Sequence, residues 1–165
     1  MSVTHVVGID PGLVHTGVVR LVFYPGVRSF LVEHEAIAGP NVQAARQWIG
    51  EPYLLPMAEV FVEGYRPRSA YNTDSRMTDA VQQFRRGITG AKVLDNTGVK
   101  KIVTRELLEV LGLWKFTTVT NHQDLRSAAR IAVLGMLKDE QHNRLLADVV
   151  RDHLDHKPWA VRVEL

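Results

Sequence analysis

Residues 5–24, HVVGIDPGLVHTGVVRLVFY, constrain the fold of this chain more than any other stretch. Two apolar runs flank DPGLVH, in which Asp10 starts a turn, Pro11 fixes φ and Gly12 tolerates a positive φ. The pattern predicts a buried strand over 5–10 and its hairpin partner over 16–24. Asp10 therefore places a charge at the end of a buried strand. Such a carboxylate is costly unless something is bound to it.

The rest of the chain reads as an alternation of strands and helices. RSFLVEHEAI (28–37) mixes apolar and polar residues as an edge strand does, and NVQAARQWI (41–49) has helical spacing after Gly-Pro. AEVFVEG (58–64) is a short buried strand stopped by Gly64. Residues 74–90 form a helix, 92–97 a strand, and 104–113 a helix capped by Thr104. The clearest helix is 121–140, followed by another over 143–154 and a tail, WAVRVEL. Three antiparallel-looking strands followed by strands alternating with helices predict an α/β domain, a mixed sheet covered by helices. With no repeat or linker, the 165 residues read as one domain, of which 139–165 form a C-terminal helix and tail.

Composition narrows the chemistry. The absence of cysteine excludes disulfides, thiolate nucleophiles and Cys-ligated zinc, so any metal is held by carboxylate, His or carbonyl oxygen. No segment approaches a membrane span and no secretory leader precedes the first strand, so the chain reads as cytoplasmic. The net charge of +2 conceals an uneven distribution. Residues 1–63 carry 3 Lys/Arg against 6 Asp/Glu, residues 64–130 carry 12 against 6, and residues 131–165 carry 5 against 6. A basic middle segment points to a polyanionic partner; its alternative is a solvated surface.

Three acids stand in unusual places. Asp10 ends the first strand, Glu63 ends the fourth, and Asp124 opens the long helix. Asp124, Ala128, Ile131 and Gly135 share one helix face, the one expected to pack on the sheet. Carboxylates gathered at one sheet edge repel and raise one another's pKa unless divalent cations lie among them, and oxygen-only ligation favours Mg²⁺ or Mn²⁺. Each acid also has a structural reading. Asp10 is a good turn starter, Glu63 can emerge into solvent, and Asp124 complements an Asn121 cap and the helix dipole.

VVGIDPGLVHTGVVRL (6–21) resembles the first motif of the RuvC-type Holliday-junction resolvases, within the ribonuclease H-like superfamily, and EVFVEGYRPR (59–68) resembles their second. The resemblance spans roughly residues 3 to 138 and implies a ribonuclease H-like mixed five-stranded sheet flanked by helices. It makes Asp10 and Glu63 metal ligands. The third motif departs from the family: NHQDLRSAARIA offers Asp124, but Ser127 stands where a second acid is usual. Either Asp124 fills the first acid position and Ser127 the second, or Asn121 and Asp124 fill them; His122 is a further candidate ligand. Lys100 and Lys101 follow the fifth strand, where the family carries basic residues near the scissile phosphate. A compact chain with a diverged third motif suits a phage or viral member, acting in the host cytoplasm.

The resemblance implies a Mg²⁺-dependent endonuclease with two cations per site, Mn²⁺ able to substitute, nicking four-way junctions or related branched DNA as a homodimer. Arg66, Arg68, Arg76, Arg126 and Arg130 are then candidates for phosphate contacts. Tyr65, Tyr71 and Phe84 are candidates for stacking on an unpaired base, with core packing favoured for Phe84. The stripe Met77, Ala80, Val81 and Phe84 is either a dimer surface or a core face. The competing readings are a pre-ribosomal-RNA-processing nuclease of the same superfamily and a non-catalytic branched-DNA-binding protein. An actin-like or sugar-kinase ATPase shares a similar first hairpin, but needs a second lobe that 165 residues without a repeat do not supply.

Overall fold

The computed structural model describes residues 2–51, 53–54, 57–66, 74–116 and 122–156. Five strands form one sheet: β1 (Thr4–Asp10), β2 (His15–Phe23), β3 (Phe30–Ala38), β4 (Ala58–Gly64) and β5 (Lys92–Asp95). Their order is β3-β2-β1-β4-β5, with β1–β2 and β2–β3 antiparallel and β1–β4 and β4–β5 parallel. Six helices accompany them: α1 (Val42–Ile49), α2 (Ser75–Gly87), α3 (Val99–Ile102), α4 (Arg105–Val110), α5 (His122–Lys138) and α6 (Glu140–His156). This is the mixed five-stranded sheet flanked by helices that the resemblance implies. Among the described residues no helix is long and apolar enough to cross a membrane.

Strand periodicity divides the core in two. Val7, Ile9, Val18, Val60 and Val62 point to the face covered by α1 and α2. Val6, Val19, Leu21 and Phe61 point to the face covered by α5. The central strands are buried on both sides, which is why they read as nearly continuous apolar runs. β3 lies at the edge, and its mixed composition reflects that place.

Several boundaries move. The strand expected over 92–97 stops at Asp95, whose carboxylate accepts from the Thr97 N–H at 2.9 Å and turns the chain. The helix expected over 104–113 ends at Val110, though Thr104 caps it, accepting from the Leu107 N–H at 3.2 Å. The helix α3 went unread because four residues are too few to show a 3.6-residue period; it carries the Lys100–Lys101 pair expected in a loop. The expected helix 143–154 begins earlier, at Glu140, where Asp139 accepts from the His142 N–H at 2.9 Å. Val81 and Phe84 belong to the α1/α2 core and Ala80 is buried, so this part of the stripe is a core face, while Met77 of the same stripe is half-buried. Gly12 corrects the turn as read: its φ is not positive, and a Cβ there would collide with the His15 carbonyl, so close approach is what demands glycine.

Candidate active site at the strand ends

Parity and register bring the acids together. Asp10 has the parity of Val6 and Gly8, and Glu63 that of Phe61, so both side chains leave the sheet on the α5 face. β1 and β4 are parallel neighbours with Ile9 beside Val62, so Asp10 and Glu63 are the next residues on adjacent strands.

The third acid arrives by way of glycines. Asp10 pairs across the hairpin with Gly17. A Cβ on Gly17 would lie 2.6 Å from the Asp124 carbonyl carbon, so only a bare backbone admits the first turn of α5 there. One turn on, Gly8 performs the same service: a Cβ would come within 2.7 Å of the Ala132 amide nitrogen and collide with the Ala128 carbonyl. Gly135 then lies against the Phe61 ring. Helix α5 thus crosses β2, β1 and β4 in turn, on the Asp124–Ala128–Gly135 face.

The turn after Asp10 is pinned by Thr16. Its buried hydroxyl accepts from the Gly12 N–H at 3.3 Å and donates to the Gly39 carbonyl at 2.9 Å, tying the turn to the end of β3. The acidic end of β1 is therefore held on both sides.

Burial pushes the Asp10 carboxyl well above the usual carboxylate range. Glu63 pushes it the same way, by charge and as a hydrogen-bonding partner, and the Asp124 charge adds to the effect. The Ser127 hydroxyl, a donor, pulls it back. Burial also raises the Asp124 carboxyl, against the opposing influence of His15. Asn96 donates from Nδ2 to Glu63 Oε1 at 2.7 Å and fixes that carboxylate.

Asp10, Glu63 and Asn96 border a cavity of about 60 Å³ completed by Pro11, Tyr65, Met77 and Val81 among others; Asp124 and Ser127 do not line it. It is far below the roughly 300 Å³ that a small-molecule pocket needs. A cavity of about 500 Å³ lies elsewhere, between the start of β1, the β2–β3 turn and α6, at the other end of the strand from Asp10.

The remaining candidates lie outside this acidic group. Among the described residues, no three His, Cys, Asp or Glu side chains form a ready-made metal cage. His122 is engaged locally, its Nδ1 accepting from the Phe116 N–H at 3.4 Å. Lys100 and Lys101 are exposed on α3. Arg66 pairs with Asp95 at 2.6 Å and Arg76 with Asp74 at 2.8 Å. Arg126 donates to the Trp114 carbonyl at 2.7 Å, and Arg130 to the Val103 carbonyl at 3.3 Å. Tyr65 packs partly against the α1/α2 core, and Phe84 is fully buried in it. Arg68, Tyr71 and Asn121 lie outside the described residues.

Sequence reasoning missed Asn96. Glu63 pairs with Leu94, and Asn96 is two residues further on the same face, so the signal existed only once the β4–β5 register was known. Ser127 stands out in the sequence as an anomaly; in the folded chain it is one of the groups that act on the Asp10 carboxyl.

No family model and no curated protein matches this chain. Solved structures do. The Thermus thermophilus RuvC structure is similar at 15% identity, covering 97% of this chain and 100% of that one, with a TM-score of 0.49. T. thermophilus RuvC in complex with a Holliday junction substrate is similar at 15% identity, covering 97% and 99%, with a TM-score of 0.46. Fowlpox virus resolvase, in complex with substrate Holliday junction DNA, gives 10% identity, 98% and 100% coverage, and a TM-score of 0.38. Likeness this distant speaks to neither substrate nor site.

Proposed function

We propose that this protein is a divalent-metal-dependent, structure-selective DNA endonuclease that resolves Holliday junctions or related branched DNA by paired nicks, acting as a homodimer in the cytoplasm. The observation that carries the reading is the Asp10–Glu63 pair: two carboxyl groups at the ends of adjacent parallel strands, on the same face of the sheet, each the residue after the Ile9–Val62 pair, with Asp124 acting on Asp10 from α5. Two such groups either share a proton or share a cation.

The donor set fits a hard cation. Asp10, Glu63 and Asp124 offer only oxygen, the ligand type Mg²⁺ and Mn²⁺ prefer. When bound, such cations supply the Lewis acidity that activates a water and stabilises a departing 3′ oxygen. The chain's own residues do the rest. Asp10 and Glu63 supply the charge that would hold cations, and Asp124 extends it. The neutral Ser127 draws the Asp10 carboxyl back toward its charged form, where a further acid would add repulsion, and Asn96 orients Glu63. The shallow site leaves room for a phosphodiester lying on the surface. Lys100 and Lys101, exposed on α3, are available to its flanking phosphates.

The second reading, a non-catalytic branched-DNA-binding protein, is favoured by the neutral Ser127 and by the lack of a closed three-ligand cage among the described residues. Labelled four-way junction, matched DNA duplex and an RNA duplex, each incubated with and without Mg²⁺, decide between them. Symmetric, metal-dependent nicks in the junction support the endonuclease. Tight junction binding without cleavage in Mg²⁺ or Mn²⁺ supports the binder. Cleavage confined to RNA favours the pre-ribosomal-RNA-processing nuclease.

A further inference from the structure

Trp114 is surrounded by arginines from two separate elements. The guanidinium carbons of Arg126, Arg105 and Arg130 stand 4.0, 4.9 and 5.7 Å from the centre of its ring. Cation–π attraction explains why each approaches the indole, but it offsets only part of the repulsion among three like charges. Of these three, only Arg105 has a carboxylate partner among the described residues, Glu109 at 2.7 Å.

Two of the three are also aimed. Arg126 and Arg130 each spend Nε on a main-chain carbonyl, those of Trp114 and Val103, and this leaves the terminal nitrogens of each fork undirected by that bond. A guanidinium anchored at Nε loses little further freedom when it meets an oxyanion. Burial and the Arg126 charge both act against the Arg130 cation, while Glu63 of the acidic centre acts in its favour. Arg126 and Arg130 also lie within two turns of Asp124 on the same helix, α5, which keeps the cluster close to the acids. Exposed Lys115 lies beside Trp114 on the rim of a cavity of about 320 Å³.

We propose that Arg105, Arg126 and Arg130, gathered on Trp114, form a phosphodiester-binding site for the DNA strand flanking the acidic centre, an inference that rests on the nuclease reading above. The ligand class follows from the chemistry: several fixed cations with too few carboxylates need a partner with repeated negative charge. A DNA backbone supplies one at each step. The indole serves as the platform that holds the forks apart and level.

The test is binding of labelled four-way junction to the full chain without divalent metal, followed by anisotropy over a series of salt concentrations. Arg126→Gln and Arg105→Gln should each reduce the slope of log affinity against log salt by about one, with roughly tenfold weaker binding at moderate salt. Arg126→Lys keeps the charge and should keep the slope. Arg144→Gln, removing an equal charge from α6, should leave the slope unchanged. Thermal melts establish that each variant folds. Cluster variants that fold as wild type and retain its full slope overturn the site. So does displacement of the DNA by millimolar inorganic phosphate at constant ionic strength, which would make this a free-phosphate site. Wild-type protein that never nicks a junction, with slopes that still fall in the variants, overturns the nuclease reading and leaves the phosphodiester site standing. Junction nicking with unchanged slopes does the reverse.

Discussion

The two faces of the sheet are covered in different ways. On the α1/α2 side, Val7, Ile9, Val60, Val62, Val81 and Phe84 pack as ordinary branched and aromatic side chains. On the α5 side, glycines at 8, 17 and 135 strip side chains from the contact, so backbone and ring meet at close range. The first arrangement only covers the sheet. The second fixes the position of Asp124 relative to Asp10, because a helix lying against bare strand backbone has little freedom to lift or slide. A core face accepts volume-conserving exchanges at little cost, whereas a site made of three acids on three elements loses function when one of them shifts by about an ångström.

The largest effect expected is that of Asp10→Asn, which should abolish metal-dependent junction cleavage while leaving junction binding near the wild-type level. The same variant carries a stability signature. The carboxyl of folded, metal-free Asp10 titrates well above its unfolded value of about 3.9. Its charge therefore costs nothing below that value, costs more as pH rises toward the raised folded value, and costs a constant amount above it. Asp10→Asn should melt higher than wild type at neutral pH without metal, and the advantage should vanish near pH 4. Excess Mg²⁺ should narrow the gap from the other side by stabilising only wild type. A wild-type cleavage rate in this variant would remove Asp10 from the mechanism.

A paired experiment breaks the comparison of the two faces directly. Gly17→Ala on the α5 side should lower cleavage by about 10²-fold, since a methyl group there displaces the start of α5 and with it Asp124. Phe84→Ala on the other side should cost about 3–5 kcal/mol of stability yet leave the rate per folded molecule unchanged. Rate measurements normalised to the folded fraction from denaturant curves separate the two. If both variants lose rate equally, the faces do not differ in the way described.

Asn96→Ala should act more gently. Removing the 2.7 Å donor to Glu63 ought to raise the Mg²⁺ concentration for half-maximal cleavage by about tenfold, with little change in rate at saturating metal. A Mg²⁺ titration reads this out, and an unchanged midpoint would reduce Asn96 to a turn residue. The smallest effect belongs to His122→Ala. Its ring accepts one long hydrogen bond from Phe116, so the change should cost no more than about 1 kcal/mol and leave the pH–rate profile unmoved. A flattened profile would return His122 to the candidate ligands.

Much of this was legible in the sequence, and some was not. β1, β2 and β4 were visible because strands buried on both faces leave unbroken apolar runs, and α5 because its length sustains a 3.6-residue period. The Asp124–Ala128–Gly135 face could be counted from spacing alone. By contrast α3 is too short to count, and the stripe of α2 looked the same whether it faced a core or a partner. Asn96 became a candidate only through the β4–β5 register, and the Trp114 cluster only through the packing of α4 and α5 around one residue between them.

The sequence by itself determined the hairpin, the alternation of strands and helices, and the placing of single acids at strand and helix ends, because each depends on neighbours within a few residues. The tertiary structure decided which of those groups act on one another. Asp10, Glu63, Ser127 and Asn96 come from four separate segments, and their distances depend on strand register and on how closely α5 can approach. Those are properties of pairing and contact between segments far apart in the chain, and no local pattern of residue types carries them.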